Sequence, residues 1–147
     1  MFTSQLDLSD NNLCGLNWEG KGTYTAEGIT ALSEALKVTA SLTVTDLRYN
    51  NLDTESATML ANIAKKKRIS LCGITPGQTE ADFTPSKNDN YYMGPADAIL
   101  LTADLAVIPS LTFLSLADNN LGEEEKTLLT EAAMGNQGLV MLMDLGD

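Results

Sequence analysis

The sequence predicts an α/β solenoid, a curved stack of repeats in which parallel strands line the inner face and helices cover the outer face. The first observation is a string of alternating leucines that ends in Asn-Asn-Leu and occurs at residues 6–13, 42–52 and 111–121. The second is a segment with helical spacing of apolar residues that follows each copy. The third is the length of 147 residues. This length gives a single domain, residues 1–147, of about five stacked turns.

The strand half of the repeat places leucine at alternate positions, so these side chains point to one face and form the interior. The asparagine that follows is predicted to be structural, because its amide can pair with backbone groups of its own turn and of the next. These structural asparagines are Asn11, Asn50 and Asn119. Replacing Asn119 with alanine is expected to cost roughly 1–3 kcal/mol, since backbone groups would be left unpaired.

The helical half of the repeat has its own signature. Eight positions after the last leucine of the second and third copies stand Leu60 and Leu129. Four positions further on stand Ala64 and Ala133. Residues four apart share one helix face, and a small residue there lets the helix approach the sheet closely.

A repeat that pairs a strand with a full helix resembles the ribonuclease-inhibitor-like class of leucine-rich repeats, and the resemblance covers nearly the whole chain. That family is a scaffold with many functions, so the resemblance implies a fold and a role in protein–protein interaction rather than an activity. The insert Cys-Gly-Leu-Asn-Trp at 14–18 and the segment Gly-Thr-Tyr-Thr-Ala-Glu-Gly-Ile at 22–29 are similar to divergent arrays of microbial eukaryotes such as algae.

Both ends of the stack are expected to be open. The first strand, at residues 2–9 with Leu6 and Leu8 inward, has no polar cap before it. The last strand, at residues 139–145, has no polar helix after it. Its register is open, with inward side chains at either Met143 and Leu145 or Val140 and Leu142. Uncapped strands expose an edge and an apolar end.

Two insertions interrupt the repeats. The first, at residues 14–24, is rich in glycine and delays the helix to residues 25–38, with Thr25 as its N-cap. The second, at residues 85–92, ends in two adjacent tyrosines. Inserted loops in repeat proteins often lie on one face and bind partners, so candidate contact residues are Trp18, Tyr91 and Tyr92. The alternative is that Trp18 and Tyr24 fold back over the first turn and that the two tyrosines shield a helix edge.

The remaining elements follow the same pattern. Further strands are predicted at 43–48, 69–74 and 80–84, and further helices at 54–66, from Pro95, and at 123–134. The repeat that begins at residue 69 lacks a helix, because Thr-Pro-Gly-Gln at 75–78 is a turn. Thr45 holds an interior position that leucine usually holds, and it is expected to hydrogen-bond locally. Met93 fills the leucine position before the next helix.

The chain is acidic, with 9 Lys and Arg against 20 Asp and Glu and a net charge of −11. This charge argues against nucleic acid and anionic membrane surfaces as partners. It suits a protein partner with a basic surface, or it merely keeps the chain soluble. The basic run at 65–68 suits the negative end of a helix dipole, and a targeting or nucleic-acid patch is the alternative.

The composition does not favour catalysis. The chain has no histidine, which excludes Ser–His and Cys–His pairings, and no phosphate loop or zinc cluster. We therefore expect a non-enzymatic protein without a cofactor; a calcium site at Asn88, Asp89 and Asn90 is the alternative. Cys14 and Cys72 fall in different repeats and are expected to be reduced thiols. With no signal peptide or membrane span in the sequence, a cytoplasmic location is expected.

The position between the two interior residues of each strand points to the concave face, with neighbouring strands about 4.8 Å apart. Along the chain this position gives an acidic and hydroxyl column of Asp7, Asp46, Ser70, Asp82, Ser115 and Asp144. Exposed on the same face we expect Arg48, Tyr49, Phe113 and Asp118. An acidic surface with occasional aromatic residues is typical of a protein-binding face. Alternatively, these outward strand positions are simply polar.

Two functions are compatible with these patterns. The first is a non-catalytic interaction module that binds a protein through the acidic column and the two inserted loops. The second is a structural segment of a longer repeat array, which stacks on further repeats or forms a homodimer through its open end strands. Loss of partner capture on reversing charges in the column would favour the first. Self-association would favour the second.

Overall fold

The computed structural model describes residues 4–88, 91–139 and 141–143, and it shows an α/β chain in which short strands and helices alternate. The strands are β1 (Ser4–Asp7), β2 (Leu42–Asp46), β3 (Glu80–Asp82), β4 (Phe113–Ser115) and β5 (Met141–Met143). The helices are α1 (Glu27–Val38), α2 (Thr54–Lys67), α3 (Pro95–Val107) and α4 (Glu123–Gly135). The α/β class predicted from the sequence is confirmed.

The described strands form two sheets, and every pairing within them is parallel. β1 pairs with β2, while β3, β4 and β5 pair in that order. Asp7 stands opposite Asp46 in the first sheet, and Asp82 stands opposite Ser115 in the second. Parallel pairing requires a crossover connection between strands, and helices α1, α3 and α4 supply it.

The segment between the two sheets is not the third strand predicted at 69–74. It runs beside β2, where Ser70 N donates to Thr43 O at 3.0 Å and Thr45 N donates to Ser70 O at 2.8 Å. The pairing consists of isolated bridges only. Between this segment and β3 the described chain contains no helix, as the sequence predicts for this repeat.

A buried carboxylate of α3 holds the helix-free segment in place. Asp104 is fully buried, and it accepts hydrogen bonds from Leu71 N at 2.6 Å, Cys72 N at 3.1 Å and the Ser70 hydroxyl at 2.7 Å. In a regular sheet such N–H groups pair with a neighbouring strand. Here the carboxylate takes that role, so α3 is tied to the repeat before its own.

The helix boundaries lie within two residues of those predicted. α1 begins at Glu27 rather than at residue 25, and Thr25 Oγ1 accepts a hydrogen bond from Glu27 N at 3.3 Å. α2 is capped by Asp53, whose carboxylate accepts a hydrogen bond from Ser56 N at 2.7 Å. α3 begins at Pro95. Proline has no N–H, and the first residue of a helix needs none, because an N–H there would have no carbonyl partner within the helix.

One core of apolar side chains lies between the strands and the helices. Consecutive helices pack side by side, α1 on α2, α2 on α3 and α3 on α4. The predicted interior residues are buried, including Leu36, Leu60, Ala64, Leu71, Met93, Leu101, Leu105 and Leu129. Burial of each leucine contributes roughly 1.5–3 kcal/mol relative to an exposed side chain.

Two predicted interior positions differ from expectation. Leu6 is 41% exposed, because β1 is covered by β2 on one side only in the described part of the chain. Thr45 is buried, but its hydroxyl has no hydrogen-bond partner among the described residues. The predicted local hydrogen bond of Thr45 is therefore wrong. An unpaired buried hydroxyl lowers stability by roughly 1–3 kcal/mol.

The Asn50 side chain joins the first two turns, as its place in the repeat predicts. Its amide donates to Leu8 O at 2.9 Å and to Leu47 O at 3.1 Å. Its oxygen accepts from Asn11 N at 2.9 Å and from Leu13 N at 3.2 Å. The partners lie in its own turn and the preceding one, rather than in the next turn as predicted.

Asn119 makes the equivalent bonds in a later turn. Its amide donates to Phe83 O at 2.8 Å, and its oxygen accepts from Met93 N at 2.7 Å. Asn11 differs, because it is exposed and its amide donates to Ser9 O within its own turn at 3.0 Å. Asn50 and Asn119 thus bond to the turn that precedes their own, and the described residues include such a preceding turn for both.

Candidate functional site: an aromatic cleft between the inserted loops

An open cleft of about 410 Å³ lies where the two inserted loops meet the first turns of α2 and α3. This volume falls within the usual range of ligand-binding clefts, about 300–1,000 Å³. Four aromatic side chains line it: Trp18, Tyr49, Tyr91 and Tyr92. Three carboxylates line it as well: Asp10, Asp53 and Asp97. The sequence singled out all four aromatic residues, and the fold brings them together.

The first inserted loop is built around one asparagine. Asn17 Oδ1 accepts hydrogen bonds from Glu19 N at 3.0 Å and from Lys21 N at 2.9 Å. The loop is tied to the second repeat by Asn51, whose amide donates to Asn17 O at 2.6 Å. Trp18 is held at the tip of this turn with 68% of its surface exposed. The alternative that Trp18 folds back over the first turn is therefore wrong.

Tyr24 behaves differently from Trp18. It is half-buried against the core, and its hydroxyl lies 3.0 Å from Ser56 Oγ and accepts a hydrogen bond from Asp53 N at 3.3 Å. The end of the first inserted loop is thus anchored to the first turn of α2. This anchor holds the loop beside the cleft.

Tyr49 forms one wall of the cleft in a left-handed backbone conformation. Its φ is 63°, and the equivalent residues of the other two repeat copies, Asp10 and Asp118, have φ values of 54° and 59°. Aspartate tolerates this conformation, whereas it is uncommon for a bulky residue. Unfavourable backbone conformations of this kind cluster at functional sites. The cleft thus carries an aromatic ring at a position where the other copies have aspartate.

Two contacts fix the Tyr49 wall. The Tyr49 N–H donates to Asp97 Oδ1 at 3.1 Å, and the Tyr49 and Tyr91 ring centroids lie 5.3 Å apart with the planes tilted by 44°. A tilted arrangement at this distance is favourable for two aromatic rings. Tyr91 also donates its hydroxyl to Asp10 Oδ2 at 2.5 Å. The second inserted loop therefore lies against the first and second repeats.

Tyr92 lies next to Tyr91 and is 49% exposed. Besides the cleft, it lines an adjoining shallow depression with Asp118, Asn119 and Asn120. Asp118, which the sequence placed among the contact residues, is exposed there. Asp89 and Asn90 of the same loop, part of the alternative calcium site, lie outside the described residues.

Two of the three carboxylates of the cleft stand at helix N-termini: Asp53 is the N-cap of α2, and Asp97 lies in the first turn of α3. Asp97 is 8% exposed and accepts hydrogen bonds from Gly94 N and Tyr49 N, each at 3.1 Å. Burial raises the pKa of Asp97 to about 6, against the lowering effect of these two N–H donors. The pKa of the exposed Asp53 is lowered by its hydrogen bond from Ser56 N. Both side chains neutralise helix N-termini that would otherwise favour an anion.

The acidic column is interrupted, because three of its described members, Asp46, Ser70 and Ser115, are buried in ion pairs or hydrogen bonds. Asp46 is 8% exposed, and Arg48 donates to both of its oxygens, Nε to Oδ1 at 2.9 Å and Nη2 to Oδ2 at 2.6 Å. Ser70 is fully buried against Asp104. The expectation that Asp46, Arg48 and Ser70 are displayed for a partner is wrong. A carboxylate that lies beside a guanidinium at the end of a strand forms a bidentate ion pair with it, so its charge is not available to a partner.

The other members of the column and its surroundings differ in exposure. Asp7 and Asp82 are exposed, and hydrogen bonds from the side chain and the backbone N–H of Ser9 and of Thr84 respectively lower the pKa of each carboxyl. Ser115 is buried and lies 3.0 Å from the Thr84 hydroxyl, so its predicted exposure is wrong. Phe113 is half-buried, and Asp144 lies outside the described residues.

Sequence reasoning missed four carboxylates that shape this region: Asp10, Asp53, Asp97 and Asp104. The signal for Asp53 was its place directly before a helix, which is typical of an N-cap. The signal for Asp97 was its place three residues after Gly94, which is typical of a capping box. The signal for Asp104 was a single charged residue in the otherwise apolar second half of α3.

Within the described residues, no group of three or more His, Cys, Asp or Glu side chains is placed to hold a metal ion. None of the helices in that part of the chain is long and apolar enough to cross a bilayer. No protein-family model matches the chain, and no curated protein matches it.

Proposed function

We propose that the chain is a non-catalytic protein-interaction module of leucine-rich repeat type and that it holds its partner at the aromatic cleft. The observation that carries the proposal is the convergence of Trp18, Tyr49, Tyr91 and Tyr92 from three separate segments on one open cleft. Tryptophan and tyrosine dominate the energetics of protein interfaces. An exposed tryptophan at the tip of an ordered loop offers a large contact area with little conformational entropy to lose.

Three features support the leucine-rich repeat solenoid itself. Strands and helices alternate along the chain, and strand pairing is parallel. Asn50 and Asn119 each donate to a carbonyl of the preceding turn and accept from an N–H of that turn. The repeat at residue 69 departs from this pattern, and Asp104 compensates for the departure. A solenoid with two insertions on one side would present both loops to the same partner.

The acidic face contributes at the edge of this surface rather than as a continuous column. Asp7 and Asp82 are exposed, whereas Asp46 forms an ion pair with Arg48. Reversing the charge of Asp46 would break that ion pair and lower stability. The column is therefore a poor place to test binding, and the cleft is a better one. Free buried cysteines suit a reducing compartment such as the cytoplasm.

A display library of random twelve-residue peptides tests the proposal. The unmodified protein and the double variant Trp18→Ala with Tyr92→Ala are both used as bait. Both side chains are about half exposed or more, so the variant is expected to keep its fold. Peptides selected by the unmodified protein are expected to bind the variant at least tenfold more weakly.

A matched control replaces exposed apolar side chains outside the cleft. Val38 and Met134 are 81% and 79% exposed on α1 and α4, and the control variant is Val38→Ala with Met134→Ala. Its affinity for the selected peptides is expected to change less than twofold. Equal affinity of the cleft variant and the unmodified protein, or a library without any enriched peptide, would overturn the proposal.

A structural segment that self-associates is the second candidate, and one observation favours it. Leu6 is 41% exposed on β1, and β1 has a strand partner on one side only in the described chain. An edge strand with an exposed leucine is a template for pairing with a second copy. Light scattering across a hundredfold concentration range tests this candidate. A dimer that becomes monomeric in the variant Leu6→Lys would favour it. A constant monomer mass would reject it.

A further inference from the structure

We infer that the aromatic cleft recognises a cationic side chain, a lysine or an arginine in an extended basic segment of the partner protein. This inference rests on the proposed function and names the chemistry of its partner. Among the described residues that line the cleft there are three aspartates and four aromatic rings, and there is no lysine or arginine. Aromatic faces and carboxylates together form the usual environment for an ammonium or guanidinium group.

The carboxylates retain acceptor capacity towards the cleft. Asp10 is exposed, and the structure shows its carboxylate taking one hydrogen bond from the Tyr91 hydroxyl. A carboxylate has about four acceptor sites, so Asp10 can receive a cation beside the Tyr91 ring. Asp53 is exposed as well, with Ser56 N on one oxygen. These two carboxylates are exposed to solvent, whereas Asp97, which also lines the cleft, is buried.

An anionic ligand is the competing occupant, because the first turns of α2 and α3 both border the cleft. One N–H at the start of each helix is already engaged by a carboxylate of the protein. Asp53 accepts from Ser56 N, and Asp97 accepts from Gly94 N. An added anion would meet three negative charges, which is unfavourable in a partly desolvated site. The charge of the lining thus favours a cation.

The chain already places one guanidinium on a ring of the cleft, Tyr49, and on Phe83, which does not line the cleft. Arg48 Cζ lies 5.3 Å from the Tyr49 centroid and 4.8 Å from the Phe83 centroid, within the range of a cation–π contact. The charge of Arg48 is matched by Asp46. Trp18, at 68% exposure, has the best ring type for such a contact, and the structure shows no cation on it among the described residues.

The overall charge of the chain supports the same partner. A net charge of −11 raises the rate at which a basic segment is encountered and disfavours an acidic one. A volume of about 410 Å³ accommodates one long side chain with its flanking backbone. Specificity for the cation then comes from the rings and the carboxylates.

Trp18 is the only tryptophan of the chain, so its fluorescence reports directly on the cleft. The probes are the capped pentapeptides Gly-Arg-Gly-Arg-Gly and Gly-Lys-Gly-Lys-Gly, and the neutral isostere carries citrulline in place of arginine. We expect saturable changes in emission with the arginine and lysine peptides. The citrulline peptide is expected to bind at least tenfold more weakly, because it has the same shape without the charge.

Charge-matched variants locate the effect. Asp10→Asn is expected to weaken binding of the arginine peptide at least threefold, whereas Glu131→Gln, which removes the same charge from an exposed position of α4, changes it less than 1.5-fold. Tyr91→Phe keeps the ring and frees Asp10, so binding is retained or strengthened. Equal binding of the citrulline and arginine peptides, or equal effects of Asp10→Asn and Glu131→Gln, would refute the inference.

The library experiment separates this inference from the proposed function. Enriched peptides with an arginine or lysine at a fixed position support both. Enriched neutral or acidic peptides that need Trp18 and Tyr92 would leave the proposed function standing and overturn the inference. Absence of enriched peptides together with absence of a fluorescence response would overturn both.

Discussion

The Asp104 carboxylate lies 2.6 Å from the backbone nitrogen of Leu71, and this hydrogen bond joins α3 to the helix-free segment. This segment pairs with β2 only through isolated bridges, so some of its N–H groups need another acceptor. The chain meets this need with one carboxylate that accepts three hydrogen bonds. The same helix carries Asp97, which binds the turn at Tyr49, so α3 holds both the segment and one wall of the cleft.

Asp104→Ala is expected to lower the free energy of unfolding by at least about 3 kcal/mol, because three buried donors would lose their acceptor. Urea denaturation followed by circular dichroism measures this. The control is Glu131→Ala on the exposed face of α4, expected to stay within about 0.5 kcal/mol. A loss below about 1 kcal/mol for Asp104→Ala would show that water satisfies these donors.

Stability is expected to fall as the pH rises from about 5 to 8. Burial raises the pKa of Asp97 to about 6 and that of Asp104 to about 7, from the ordinary value of 3.8. The native state therefore binds protons more tightly than the unfolded chain. The resulting stabilisation is complete below the unfolded pKa and is lost as the pH rises through the folded values, at about 1.4 kcal/mol per pKa unit.

The pH dependence has a lower limit and a control. The exposed Asp7, Asp53 and Asp82 have lowered pKa values, so their contribution is lost below about pH 4. Urea denaturation at pH 5, 6.5 and 8 gives the slope, and Asp104→Asn is expected to flatten it. Stability that increases from pH 5 to 8 in the unmodified protein would contradict the raised pKa values.

Asn50→Ala is expected to cost roughly 2–3 kcal/mol, since buried backbone groups of two turns would lose their partner. Asn11→Ala is the matched control, because Asn11 holds the same place in the repeat but is exposed. Its cost is expected to be within about 0.5 kcal/mol. Thermal unfolding compares the two. Equal losses of stability in the two variants would show that the asparagine side chain stabilises only its own turn and that its contact with the preceding turn contributes nothing.

The two thiols are expected to react slowly in the native protein. Cys14 and Cys72 are free and buried, and burial raises the pKa of both. Because the thiolate is the reactive form, labelling with Ellman's reagent is expected to be at least about tenfold slower than in urea. A fast phase for one thiol in the native protein would indicate local opening around it, and Cys14→Ser or Cys72→Ser identifies which thiol it is.

The repeat pattern predicted much of this fold. Alternating leucines and the spacing to Leu60 and Leu129 gave the strand–helix alternation and the interior residues, because periodicity reports which face of an element is buried. The pattern failed at residues 69–74, where Ser70 turned out to be buried. Period-two reasoning assumes a regular strand, and this segment pairs with β2 only through isolated bridges.

The aromatic residues of the site were predictable one by one, but its carboxylates and the convergence of all these side chains on one cleft were not. Trp18, Tyr91 and Tyr92 stood out as aromatic residues on polar inserted loops, and loop chemistry of this kind is local. That they share one cleft with Tyr49 depends on how Asn51, Tyr24 and Asp97 tie distant segments together. Such hydrogen bonds span tens of residues, and no local pattern encodes them.

The sequence by itself determined the α/β class, the boundaries of the helices to within two residues, two of the three structural asparagines and the aromatic residues of the inserted loops, because each depends on spacing within one repeat. The tertiary structure decided which charges are available. It pairs Asp46 with Arg48 and buries Asp104, and it leaves Asp10 and Asp53 exposed to solvent in the lining of an aromatic cleft. Burial and pairing depend on neighbours from other repeats, and only the folded chain brings those neighbours together.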